Sequence, residues 1–234
     1  MFTLSKGAGT DYGEFTGESV ESSEYVGAYP AGMVTFDRGV LFNLPGTQTY
    51  VENSYAPNTV PVLAISETKN LEFVNVTGLL RVGIKVVSPT TVTSMVLKDK
   101  NSDAELWGRF GMNGMGPIVP DSEGTGGDNT ITMDLGDGVA LNSDTYTYFF
   151  FCLPAGTLAG GFTVDMETAN GDVAKIDYTG TDKKTELNVG KPYDADGVEF
   201  VAPTSVLDEM SEKDGEWKDP TSELDGVTEK DGNW

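Results

Sequence analysis

The residues with the most chemical potential in this 234-residue chain are its carboxylates: 37 Asp and Glu stand against 15 Lys and Arg, a formal net charge of −22. Two clusters mix acids with glycine in the manner of calcium loops, Asp134-Leu-Gly-Asp-Gly138 and Asp194-Ala-Asp-Gly-Val-Glu199. Neither has the ligand spacing of an EF-hand, so both read as turns and no metal is expected. Glycoside hydrolysis needs two carboxylates held several ångström apart across a cleft, and nothing in the spacing nominates a pair. The chain has no His. That removes Ser-His-Asp and Cys-His catalysis and His-bearing zinc sites together. The single Cys152 sits among Tyr146, Tyr148, Phe149, Phe150, Phe151 and Leu153. It reads as a small buried hydrophobe, not a nucleophile, and it has no internal disulfide partner. No stretch resembles a phosphate-cradling loop, and no cofactor is expected.

Aromatic residues offer contact instead of catalysis. Trp107, Trp217 and Trp234 are candidate ligand or partner contacts, as stacking platforms for sugars. Trp107 has a competing role, because Leu106 and Phe110 beside it favour packing between sheets. Tyr12, Tyr25, Tyr29, Tyr50 and Tyr55 crowd the first quarter, where ordinary strand propensity and a Tyr-rich edge or interface both account for them. The negative charge argues against nucleic acid and anionic membranes as partners. No signal peptide and no apolar span of about 20 residues is present.

These residues must be carried by strands. Leu71–Val87 is the longest apolar run. From Leu80 its parity is clean, with Leu80, Val82, Ile84 and Val86 on one face and Arg81, Gly83 and Lys85 on the other. Its first half has the opposite parity, with Leu71 and Phe73 inward. A phase slip near Val74–Gly78 predicts a β-bulge in a bent strand that serves two packed sheets. Val40, Phe42 and Leu44 share a face before a break at Pro45-Gly46. Residues 91–99 and 104–110 flank the polar turn 100–103 and read as a hairpin. Gly111–Asn129 reads as a long loop, and 129–135 as a strand. Residues 145–153 are apolar on both faces, which predicts a central buried strand. Residues 161–168 and 173–179 flank Asn170-Gly171, a strong hairpin signal, with Phe162, Val164 and Met166 facing Ala174, Ile176 and Tyr178. The count is roughly 12 strands with no helix before 203, which predicts an all-β, mostly antiparallel sandwich.

The chain divides into an N-terminal β lobe (1–68), a main β-sandwich (69–202) and an acidic tail (203–234). The tail holds ten acidic and three basic residues and two similar pieces, Ser211–Trp217 and Thr228–Trp234, spaced 17 residues apart. Ser205 and Asp208 allow one short capped helix within it.

The order of motifs resembles the fimbrillin-like proteins of Bacteroidetes. The resemblance is carried by Phe2, Gly7–Thr10, Tyr29-Pro30, Leu44-Pro45, Gln48, Tyr50, Leu71–Val82, Leu106–Phe110, Leu153-Pro154 and Gly160–Val164, over roughly residues 1–180. It implies transthyretin-like β-sandwich lobes and a cell-surface, outer-membrane or fimbrial location, although this chain carries no export signal. It also implies fimbrial subunits that join when a strand of one completes a sheet of the next. In physical terms that is β-augmentation of an open edge. The strand that usually precedes the Phe2 region is missing here, and the acidic tail lies outside the pattern. The expectation is a non-enzymatic fimbrial subunit or adhesin-like protein. Its acceptor is the edge left by the missing strand, and its donor is Val198–Ala202 with the tail that follows. Its partners are other subunits and a host or bacterial surface glycan or protein. The alternative is a carbohydrate-binding surface module that uses the exposed Trp residues. A carboxylate hydrolase is the third class.

Overall fold

In the computed structural model the long apolar run is divided between two sheets. The structure describes residues 3–7, 13–18, 21–37, 39–112, 117–124, 126–179, 187, 189 and 192–200. The strands run β1 (Thr3–Lys6), β2 (Glu14–Thr16), β3 (Tyr25–Tyr29), β4 (Val34–Phe36), β5 (Val40–Leu44), β6 (Thr47–Val51), β7 (Ser54–Tyr55), β8 (Val62–Ser66), β9 (Val74–Asn75) and β10 (Gly78–Val86). They continue with β11 (Thr90–Asp99), β12 (Gly108–Met112), β13 (Ile118–Pro120), β14 (Thr130–Asp134), β15 (Val139–Leu141), β16 (Thr147–Leu153), β17 (Phe162–Thr168), β18 (Val173–Tyr178) and β19 (Pro192–Phe200). One 3-10 turn, Ala31–Met33, joins β3 to β4, and there is no α-helix among the described residues. The fold is all-β, and its pairings are antiparallel except β6 with β14 and β10 with β19.

β10 is the centre of a three-stranded sheet, β16-β10-β19. Its alternation does what the sequence predicts: Leu80, Val82, Ile84 and Val86 are buried, and Arg81 and Lys85 are half-buried. The inward set packs on Met95, Leu97, Ile131, Met133, Phe162 and Val164 of a seven-stranded sheet, β18-β17-β11-β14-β6-β7 with β15 on β11. Each fully buried Leu or Ile in this core contributes about 1.5–3 kcal/mol of hydrophobic stabilisation. β17 and β18 form the predicted hairpin, with Phe162 opposite Tyr178, Val164 opposite Ile176 and Met166 opposite Ala174. Its turn is closed by Gly171 N–H donating to Thr168 C=O (2.9 Å) and Thr168 N–H donating to Asp172 C=O (2.9 Å). Only Gly171 takes positive φ, so the loop is a three-residue turn with a left-handed last residue.

A second, smaller core joins the four-stranded sheet β13-β12-β5-β4 to the three-stranded sheet β3-β8-β9. It contains Met33, Phe42, Leu44, Leu63, Val76, Phe110 and Ile118. Strand pairing crosses the 68/69 division three times. β6 pairs with β14 in the seven-stranded sheet, β12 pairs with β5, with β13 on its far side, and β9 pairs with β8. Pro45-Gly46 is the point where the chain leaves one lobe for the other.

Several expectations are corrected. The phase slip is no bulge in one strand. β9 pairs with β8, β10 pairs with β16, and Val76 and Thr77 are buried where the chain passes between the sheets. Leu71 and Phe73 do not face the core; they are partly exposed and cover Gly27, where a Cβ would lie 2.9 Å from Leu71 Cδ1 and 3.0 Å from Phe73 Cζ. β11 and β12 do not form a hairpin, because they belong to different sheets. The turn between them is held by Asp99, whose Oδ1 accepts from Asn101 N–H and whose Oδ2 accepts from Leu158 N–H, both at 2.8 Å. The long loop 111–129 contains β13. β16 is buried but lies at the edge of its sheet, not at the centre. Asp194–Glu199 is no turn: it lies within β19, where the register against β10 shifts between Val82 and Ile84.

Candidate association surfaces

The second core is open at one end. Ala28 and Leu63 are cross-strand partners that pack into it. Two residues further along the same faces come Val26 and Ile65, again partners, yet 38% and 36% exposed. Val74, opposite Leu63 on β9, is 45% exposed. On the other sheet Val34 pairs with Phe42 beside the core, while Phe36 is 63% exposed. In chain terms Val26 and Phe36 both lie away from the Ala31–Met33 turn that links their strands. β3 pairs only with β8 and β4 only with β5 among the described residues. The N-terminal lobe thus presents apolar side chains beside two strands that each pair on one side only among the described residues.

The predicted donor, Val198–Ala202, is already in use over most of its length. Val198, Glu199 and Phe200 of β19 pair in parallel with Ile84, Lys85 and Val86 of their own chain. Residues 201–234 lie outside the described residues, and Trp217 and Trp234 with them.

Trp107 is a packing residue. It is half-buried against the main core, and its ring lies on glycine backbone. A Cβ on Gly46 would stand 3.0 Å from Trp107 Cδ2, and one on Gly127 would stand 2.1 Å from the Trp107 carbonyl oxygen. Trp107 Nε1–H donates to Asp128 Oδ1 at 3.2 Å. The same carboxylate accepts from the Thr130 hydroxyl (2.6 Å) and Thr130 N–H (2.8 Å). These donors, Thr130 first, hold the Asp128 carboxyl below its ordinary range. The tyrosines do not form one surface. Tyr50 packs on Phe149 with ring centroids 5.2 Å apart, while Tyr29 is exposed and donates to Asn58 Oδ1 at 2.6 Å.

Asp134 does the work of a turn: its Oδ1 accepts from Gly136 N–H at 3.0 Å, and Gly136 and Gly138 have positive φ. Among the described residues no group of three or more Asp, Glu or Cys is placed to hold a metal ion. A cleft of about 320 Å³ between the lobes is lined by Asp99, Asp103 and Glu105 above Phe110 and Ile118. The Asp99 carboxylate is buried and both its oxygens are bonded to backbone N–H, so it serves the loops and not a ligand. Cys152 is buried beside Thr77 Oγ1 (3.0 Å), and burial pushes its thiol up to about 12. No helix among the described residues is long and apolar enough to cross a membrane.

Sequence reasoning missed Gln48 as an architectural residue, although it stands in the family pattern. Its place in that pattern, between Leu44-Pro45 and Tyr50, was the available signal. Gln48 lies inward, 3% exposed, and bonds to the main chain of Cys152 on the opposite sheet.

No family model matches the chain, and no curated protein matches it. Solved structures do. One, from Bacteroides uniformis and provisionally described as a cell adhesion protein, is 15% identical with a TM-score of 0.52, over 82% of this chain and 76% of that one. Another, from Bacteroides ovatus with the same description, is 14% identical with a TM-score of 0.49, over 82% of this chain and 70% of that one. The likeness to the Bacteroides uniformis protein is one of fold.

Proposed function

We propose that this protein is a cell-surface fimbrial subunit or adhesin-like protein, without catalysis, that associates with other subunits by strand addition. The observation that carries the reading is the open end of the N-terminal lobe. Val26, Phe36, Ile65 and Val74 are exposed there beside β3 and β4, each of which pairs with a single strand among the described residues. An extended segment laid on such an edge gains main-chain hydrogen bonds, and its alternate side chains reach the apolar end of the lobe. The likeness in fold to a structure described as a cell adhesion protein supports the same class. The donor is the C-terminal segment of a neighbour. Because β19 is paired with its own β10 through Phe200, donation uses either the chain beyond Phe200 or a β19 released from β10.

The test is light scattering of the full chain at rising concentration. Wild type should associate, and Phe36→Glu with Val26→Glu should stay monomeric with unchanged circular dichroism. Removal of residues 203–234 separates the two donors. Loss of association assigns the tail, and its retention assigns β19. If the double Glu variant assembled like wild type, the acceptor edge would be wrong.

A further inference from the structure

The outer face of the seven-stranded sheet carries a feature that strand association does not use. Three of the chain's 15 basic residues, Lys98, Lys100 and Lys175, surround a shallow depression of about 370 Å³. The strand register brings them there. Lys98 of β11 stands opposite Thr163 of β17, Thr163 stands opposite Asp177 of β18, and Lys175 lies two residues along β18 on the same face. Lys100 follows Lys98 at the strand end with the same parity.

The three ammonium groups are not equivalent. Lys100 is consumed by Asp177 and by the Thr179 hydroxyl (2.8 Å). Lys175 stands 3.7 Å from Asp165, the long end of an ion pair. Lys98 is exposed and forms no ion pair among the described residues. Beneath them Thr163 is 6% exposed, and its Oγ1 is buried without a hydrogen-bond partner. An orphan hydroxyl in a native fold asks for an explanation, and an unseen acceptor is the simplest. Asp177 and Asp165 offset Lys100 and Lys175, and the remaining charge of Lys98 favours an anion over a cation. An oxyanion would accept from Lys98 and Lys175 and from the Thr163 hydroxyl at once. The donors sit on three neighbouring strands, Lys98 directly across from Thr163 and Lys175 diagonal to it, one residue pair beyond Asp177, and three donors suit an anion with three free oxygens better than one with two.

We propose that Lys98, Lys175 and Thr163 form a binding site for a tetrahedral oxyanion, a sulfate or phosphate group, either free or carried as an ester on a sugar. The hydroxyl is covered, so an anion reaches it only as side chains around the depression move, and Lys98 and Lys175 are free to swing because neither ammonium is held by a short bond. Lys100 stays with Asp177 and frames the site. The site does not depend on strand association, so it stands or falls alone.

The experiment is a backbone amide NMR titration of the full chain at constant ionic strength, with sodium sulfate, a sulfated disaccharide and its unsulfated parent as probes. Saturable shifts are expected at Lys98, Thr163 and Lys175 with sulfate and the sulfated sugar, and none with the parent sugar. Tighter binding of the sulfated sugar than of sulfate assigns an ester-borne ligand; equal binding assigns the free ion. Lys98→Gln with Lys175→Gln should weaken binding at least tenfold, and Thr163→Val, which keeps the shape and removes the donor, should weaken it several-fold. The proposal is overturned if sulfate gives no saturable shift, or if both variants bind it like wild type.

Discussion

Gln48 bonds to Cys152 as a strand would. Its Nε2–H donates to Cys152 C=O at 2.7 Å, and its Oε1 accepts from Cys152 N–H at 2.9 Å. The pair joins β6 of the seven-stranded sheet to the edge strand β16 of the other, across 104 residues of sequence. β16 would otherwise leave these main-chain groups buried and unpaired at its outer edge. One amide side chain therefore closes the sandwich at a place where no backbone strand does.

Gln48→Ala should cost roughly 2–5 kcal/mol, because it orphans two buried main-chain groups and leaves a small cavity. Chemical denaturation checks this. A loss within about 0.5 kcal/mol, the size of an ordinary surface change, would mean that water satisfies the Cys152 backbone.

Two glycines beside Trp107 should respond differently to the same substitution. Gly127→Ala places a methyl 2.1 Å from a carbonyl oxygen, so backbone must move, at about 3 kcal/mol or more. Gly46→Ala meets only the Trp107 indole ring at 3.0 Å, a side chain that can shift, at about 1 kcal/mol. Thermal melts should rank the two variants in that order.

Asp128 should link acid stability to Trp107. Its carboxyl is held down in the folded state by Thr130 and then by the Trp107 indole, so the unfolded chain binds the proton more readily. The resulting stability is present above the unfolded value and is lost as pH falls through the folded one. The Trp107 indole N–H resonance should report this titration with a midpoint below that of an ordinary Asp, and Thr130→Val should raise it. A midpoint at the ordinary value would show that the Thr130 bonds do not persist in solution.

Cys152 should be inert. With its thiol pushed up to about 12 by burial, no thiolate forms near neutral pH, and alkylation should proceed only at the rate of unfolding. The folded state holds the proton longer than the unfolded chain does. Stability is therefore undiminished below the ordinary thiol value of 9.0 and falls as pH rises from there toward 12. Rapid modification under native conditions would contradict the burial. Cys152→Ala should remove its share of the alkaline dependence, leaving that of Tyr50, whose phenol is also pushed up by burial.

Alternation made the strands legible and left their partners hidden. Leu80–Val86 and the hairpin of β17 and β18 could be read because local pattern decides both the inward face and, through Asn170-Gly171, the partner. β11 and β12 look adjacent, but Asp99 redirects the chain into the other lobe through bonds to Asn101 and to the distant Leu158. Leu71 and Phe73 have core parity, yet Gly27 offers them a surface outside the core. The exposed end of the N-terminal lobe was not legible, because Val26 and Ile65 have the same type and phase as buried neighbours. Only the extent of the opposing sheet distinguishes them. The oxyanion site was equally invisible, because it depends on cross-strand register.

The parallel pairing of β10 with β19 sets a schedule for the newborn chain. Leu79 and its neighbours emerge from the ribosome long before Pro192, their partner, has been made. At ordinary elongation rates the interval is on the order of ten seconds. During that time a strand whose inward side chains are all Leu, Val and Ile is finished on one side at most, by β16, itself about 70 residues away. Such a strand is a hazard for aggregation, and it invites a holdase or rapid removal from the site of synthesis.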